Sequence, residues 1–187
     1  MSDEKDHTID GIYIIGNHVY FYAMITDITI AAFAKEFHNC ENQMLWQQTI
    51  FGLPEPPGIV LHVHCYGGDL MAAFLAADRL AHARVPVTSI VEGVAASGGT
   101  IISMACHHRQ ITKHSTMMIH QLSNVVWGTH EQVKDRLEWQ KKLMRQLIDF
   151  YADHSKMTRK TIRAALKHDT SFTPDDAVSA GLVDEIL

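Results

Sequence analysis

The chain is short of cysteine, and what it has is badly placed for cross-linking. Cys40, Cys65 and Cys106 stand far apart with no Cys-x-x-Cys pair, which excludes a disulfide framework or a structural zinc site and favours a reducing compartment. Positive charge is also scarce: the formal net charge is −5, and no Lys/Arg cluster stands out, so a nucleic-acid partner is not expected. No apolar run approaches the roughly 18 residues that cross a bilayer, so no membrane partner is expected either. The N-terminal Met1-Ser2-Asp3-Glu4-Lys5-Asp6 is acidic and polar, unlike a signal peptide. Together these absences predict a soluble, cytoplasmic protein. What is present is ordinary for a globular chain: 47% hydrophobic and 20% charged residues in 187, enough for one domain with its own core. There are 13 histidines, but the suggestive pairs, His62/His64 and His107-His108, have no Asp, Glu or Cys at ligand spacing. They read as surface or interface residues, and no metal or cofactor is expected.

Read in order, residues 1–10 are expected to be disordered. Ile12–Ile15 and His18–Tyr22 then form two strands around the turn pair Gly16-Asn17. Asp27 is expected to cap a helix over residues 28–49. Three prolines between Gly52 and Gly58 impose a loop. Ile59–Cys65 is a buried strand that leads through Tyr66-Gly67-Gly68-Asp69 into a helix over 70–83. Residues 85–91 give the next strand, and small apolar residues from Thr100 to Cys106 a buried helix. Strands over 110–112 and 116–120 follow, an alternation that predicts stacked βαβ units. Thr129 and Gln132 form a capping box that opens a long helix to about His154. Its stripe of Val133, Leu137, Leu143, Leu147 and Tyr151 offers a packing face for another subunit or for its own sheet. A helix over 158–167, the turn holding Asp169, a helix started by Thr173-Pro174 and a last strand over 182–187 complete the chain. There is no internal repeat.

The chemistry concentrates at Val94-Ala95-Ala96-Ser97-Gly98-Gly99, a tight turn between a strand and a helix. A serine held there faces unpaired amides, which suits a nucleophile whose attack creates an oxyanion. The plain alternative is an N-cap followed by close packing. A serine nucleophile needs a base, and the base needs an orienting acceptor. His120 closes a strand that can reach the same sheet edge, and Asp169 supplies a late carboxylate. Either alone reads as structural; the ordered set of glycine pair, serine turn, strand-end histidine and aspartate raises the odds.

Gly67-Gly68, Ala95-Ala96-Ser97, Met118-Ile119-His120-Gln121, and Asp169 followed by Ala177-Val178-x-x-Gly181-Leu182-Val183-Asp184 resemble the proteolytic subunits of the Clp protease, from about Val19 to the C-terminus. The resemblance implies an α/β fold, ClpP/crotonase-like, of stacked ββα units with a protruding handle helix in the region 121–155. It implies Ser97 as nucleophile, His120 as general base and then acid, Asp169 as the carboxylate orienting His120, and the amides of Gly68 and Gly98 as the oxyanion hole. It also implies self-association into two stacked seven-membered rings around a chamber, an ATP-driven unfoldase as partner, and peptide or unfolded-protein substrates. Four features depart from the family pattern. Gly98 stands where methionine is usual. Residues 121–128 begin Gln-Leu rather than the usual Gln-Pro and hold one glycine, Gly128, where two are usual. The N-terminus lacks a hydrophobic pore segment, and the proline-rich loop reads as an insertion. A divergent, virus-encoded member fits these departures. Two other readings stay open: a non-catalytic ring subunit, and a crotonase-like acyl-CoA enzyme that shares the paired-glycine turns. A membrane-bound signal-peptide peptidase does not fit.

Overall fold

The computed structural model describes residues 11–187; the expected N-terminal disorder lies outside the described residues. Strands β1 (Ile12–Ile15) and β2 (His18–Phe21) pair antiparallel across the Gly16-Asn17 turn, with Ile15 opposite His18. From β2 the sheet continues in parallel through β3 (Ile59–Cys65), β4 (Val87–Ala96), β5 (His108–Ile111) and β8 (Glu185–Ile186). Strand β4 is longer than its apolar run predicts, and it serves two partners. Residues 88–91 pair with β5, whereas residues 94–96 pair with β6 (Thr116–Ile119). Gly93, at φ 77°, sits at the fork, and its amide donates to Ser115 Oγ at 2.6 Å. Only the far half of β4 therefore carries the chain to the serine turn.

Six helices pack around this sheet among the described residues. Helix α1 (Asp27–Phe51) places Phe33 against Phe21 of β2, with the rings edge-on at 5.5 Å, and Phe37 beside Phe33 with ring centroids 5.7 Å apart. Burying one such ring stabilises by roughly 1.5–3 kcal/mol. Helix α2 (Leu70–Ala81) turns Ala72, Ala73, Ala76 and Ala77 inward, and these small side chains let the short α3 (Gly98–Met104) lie close against it. All of α3 is buried. Helix α4 (His130–His154) is the predicted long helix, opened by the Thr129–Gln132 box. It buries only Leu147, Ile148 and Tyr151 near its C-terminal end, and its first half projects as a handle with Leu137 and Trp139 exposed. Helix α5 (Arg159–Ala165), strand β7 (Thr170–Phe172) and helix α6 (Pro174–Ala180) return the chain to the sheet. This is the expected α/β architecture.

Several local expectations are corrected. Thr26, not Asp27, caps α1: its hydroxyl accepts from Thr29 N while Thr29 Oγ1 accepts from Thr26 N, and Asp27 falls in the first turn. Helix α3 starts two residues earlier than predicted, because glycines 98 and 99 are helical when packed against α2 and Cys65. Asp169 does not sit in a simple helix–helix turn. It immediately precedes β7, whose Thr-Ser-Phe sequence has no period to advertise a strand and is ordered by pairing antiparallel with β6. The last strand shrinks to two residues, because Leu182 donates back to Ala177 O in the helix-ending turn at Gly181.

Candidate active site

Ser97 leaves β4 in a backbone conformation that no other described non-glycine residue shares, with φ 53° and ψ −123°. Positive φ in a residue with a Cβ costs on the order of 1–3 kcal/mol and persists only where surrounding structure over-determines it. Two backbone–backbone bonds contribute here. Ser97 N donates to Met118 O at 2.7 Å, and Ser97 O accepts from Thr100 N at 3.0 Å. Facing glycine turns make the space: a Cβ on Gly67 would stand 2.7 Å from Ser97 Cβ and 2.9 Å from Ala96 O. Although Ser97 occupies the N-cap position of α3, its hydroxyl makes no cap hydrogen bond. The N-cap alternative leaves that hydroxyl unaccounted for.

His120 follows β6 directly, and the Ala96–Met118 register brings the end of β6 beside the serine turn. Its neighbour Gln121 is anchored by donating its amide to Leu166 O at 2.8 Å. Ser97, Gly98, Gly68 and His120 line one cavity of about 440 Å³. Its other wall is Leu143, Leu147 and Tyr151 of α4, together with residues 121–124. Gly68 enters through a bridge to Ile25: Ile25 N donates to Gly67 O at 2.8 Å and Asp69 N donates to Ile25 O at 3.0 Å, and the Gly68 amide lies between them. The first amides of α3, starting with Gly98, have no intrahelical acceptor.

Asp169 is the predicted residue that stands apart. Its Oδ1 lies 3.8 Å from His120 Nδ1, beyond hydrogen-bond length, and its side chain is 80% exposed against 25% for His120. No hydrogen bond within 3.5 Å joins Ser97 Oγ to the His120 ring. Catalytic hydrogen bonds are often long without substrate and tighten when it binds.

Sequence reasoning missed two clusters. Thr100 and Tyr151, 51 residues apart, share a 2.6 Å hydroxyl contact beneath the serine turn, although Tyr151 read only as part of an apolar stripe. His62, expected at the surface or an interface, is not at the surface: it is buried, with Nδ1 on Glu92 Oε1 at 2.9 Å and Nε2 on His18 Nδ1 at 2.8 Å. The Tyr22 hydroxyl donates to the same carboxylate. Glu92 is far from His62 in sequence, so no spacing signal announced the pair.

The description of the Clp protease family matches residues 21–187, which takes in both wings of the cavity and the handle. The chain belongs to the Clp protease family. The ATP-dependent Clp protease proteolytic subunit 1 of Chlamydia abortus is 30% identical over 173 residues, covering 90% of this chain and 85% of that protein. Its counterpart in Chlamydia caviae is 29% identical, covering 96% and 91%. The Deinococcus radiodurans proteolytic subunit is 27% identical, covering 69% and 64%. Gly98, where the resemblance leads one to expect methionine, is accommodated by the packing. A Cβ at Gly98 would come within 2.8 Å of Ile25 Cδ1 and 3.2 Å of Ala73 Cβ, so here Ile25 takes the space a side chain would need. The backbone amide is untouched by that exchange.

Proposed function

We propose that the chain is a serine endopeptidase of the Clp type, cleaving peptides or unfolded proteins through an acyl-enzyme. The observation that carries this reading is a strained serine whose hydroxyl caps nothing and which opens on a cavity shared with His120, Gly68 and Gly98. Ser97 Oγ attacks the scissile carbonyl. With His120 Nδ1 on the Asp169 side, Nε2 is the nitrogen that takes the serine proton and returns it to the leaving amine. The Gly68 and Gly98 amides receive the oxyanion, and water activated by His120 releases the acyl group. Asp169 orients the ring when the 3.8 Å gap closes. The chemistry calls on no metal or cofactor.

The relatives are named as subunits of ATP-dependent proteases, which supports an assembled chamber and an ATP-driven unfoldase partner here. We assign the handle's exposed Leu137 and Trp139, with Trp127 just before it, to contacts between two stacked rings of seven subunits, working in the cytoplasm. The open His120–Asp169 pair favours a second reading, a ring subunit that stays inactive until a partner aligns it. The test is intact mass after a serine-directed fluorophosphonate, with Ser97→Ala beside it. One adduct on wild type and none on the variant is expected; labelling of Ser97→Ala, or peptide turnover by it, would overturn the assignment. Labelling only after a partner is added would select the second reading.

A further inference from the structure

Behind the nucleophile lies a buried hydroxyl chain that the catalytic cycle does not use. Thr100 Oγ1 donates to Ser97 O at 2.6 Å, and Tyr151 OH stands 2.6 Å from the same Oγ1. A threonine hydroxyl carries one hydrogen. Since that hydrogen is spent on the Ser97 carbonyl, the Tyr151 hydroxyl must donate to Thr100, and the direction is fixed: Tyr151 to Thr100 to Ser97. The Ser97 carbonyl thus accepts twice, from Thr100 N and from Thr100 Oγ1. Its amide is held from the opposite side by Met118. Thr100 is fully buried and Tyr151 only 1% exposed. Tyr151 comes from α4, so the handle helix reaches the backbone of the serine turn through two hydroxyls.

We infer that Thr100 and Tyr151 are positioning residues: their hydroxyl chain holds the Ser97 carbonyl, and with it the strained backbone that aims Ser97 Oγ into the cavity. This rests on Ser97 being the nucleophile. Burial keeps the Tyr151 phenol well above its ordinary value, so the donor stays protonated at working pH. A purely structural role predicts something different, namely lost stability with an unchanged nucleophile in the molecules that remain folded.

The test compares wild type, Ser97→Ala, Thr100→Val, Thr100→Ser, Tyr151→Phe and the double Thr100→Val/Tyr151→Phe. It measures the fluorophosphonate labelling rate, kcat and KM on a fluorogenic peptide, and the thermal midpoint. Thr100→Val removes the hydroxyl at nearly constant volume. It should slow labelling and kcat about tenfold, the scale of one lost hydrogen bond, with KM within about twofold. Tyr151→Phe should slow them less, because Thr100 can still donate. The double variant should match Thr100→Val, since the two hydroxyls act in series. Thr100→Ser should restore the wild-type rate. Should Thr100→Val fail to fold, Tyr151→Phe carries the comparison. Wild-type labelling rates in Thr100→Val and Tyr151→Phe would overturn the inference, as would a Thr100→Ser protein as slow as Thr100→Val. Those results leave the nucleophile assignment standing, whereas equal labelling of wild type and Ser97→Ala removes both.

Discussion

In Gly68→Ala the added methyl would overlap the Ile25 carbonyl oxygen and lie 2.8 Å from the carbonyl carbon and 2.9 Å from the amide nitrogen of the same residue. All three are backbone atoms in the Ile25–Gly68 bridge, so no side-chain rotation relieves them. The backbone must move. Gly68 also has φ 147°, a conformation L-residues avoid at a cost of about 1–3 kcal/mol. Overpacking adds about 1–3 kcal/mol, for a sum of roughly 2–6 kcal/mol. In a chain of this size each kcal/mol lowers the thermal midpoint by about 2–4 °C, so a fall of roughly 4–24 °C is expected. On the proposed mechanism the catalytic consequence is separate: a Gly68 amide displaced from the oxyanion position would cost about 10²–10³ in rate. Gly16→Ala is the control. Gly16 also has positive φ, 63°, but nothing lies within 4 Å of its would-be Cβ. It should lose only the backbone term, about 1–2 kcal/mol, with labelling at Ser97 unchanged. Thermal unfolding and fluorophosphonate labelling of both variants decide the matter. If Gly68→Ala labels within threefold of wild type and melts no lower than Gly16→Ala, the reasoning about this turn is wrong.

Glu41 is buried against Arg84, which reaches it through Nε at 2.9 Å, Nη2 at 2.6 Å and its backbone amide at 2.7 Å. Burial pushes the Glu41 carboxyl up, but the Arg84 hydrogen bonds and charge outweigh it and hold the carboxyl below its ordinary 4.5. A depressed carboxylate contributes stability that is present above the unfolded value, and loses it as pH falls through the folded one. Glu41→Gln should therefore cost about 1–3 kcal/mol at pH 7, discounted for the half-exposed arginine, and the difference from wild type should vanish in denaturant melts well below pH 4.5. Burial raises the thiols of Cys40 and Cys65 to about 11 and of Cys106 to about 12. None should react with a disulfide reagent in the native protein at pH 8, and all three should react on unfolding; a fast native thiol would contradict the packing. Because Asp169 is proposed to orient His120 rather than carry the proton, Asp169→Asn should lower kcat by less than His120→Ala does. Equal losses would contradict that orienting role.

Much of the fold was legible because its signals are local. The Gly16-Asn17 turn, the apolar run of β3, the Thr129–Gln132 box and the Thr173-Pro174 start are each written within a few residues, and each element forms there. The failures share one cause. Thr26 and Asp27 are both good capping residues, and only backbone geometry chooses between them. Strand β7 has three residues and no pattern until β6 lies beside it. The site divides in the same way. Ser97 was visible as the one hydroxyl in a glycine- and alanine-rich turn, and His120 as a strand-end histidine. The strained φ of Ser97 was not, because it arises from the close approach of Gly67 and from bonds to Met118 and Thr100. Neither was the Tyr151–Thr100–Ser97 chain, nor the burial of His62 on Glu92. Sequence by itself determined which segments could be strands, helices and turns, since periodicity and capping act over one or two turns of chain. Tertiary structure alone decided which distant hydroxyl, carboxylate or imidazole came within 3 Å of another. That distance depends on sheet register and helix packing, which no single segment encodes.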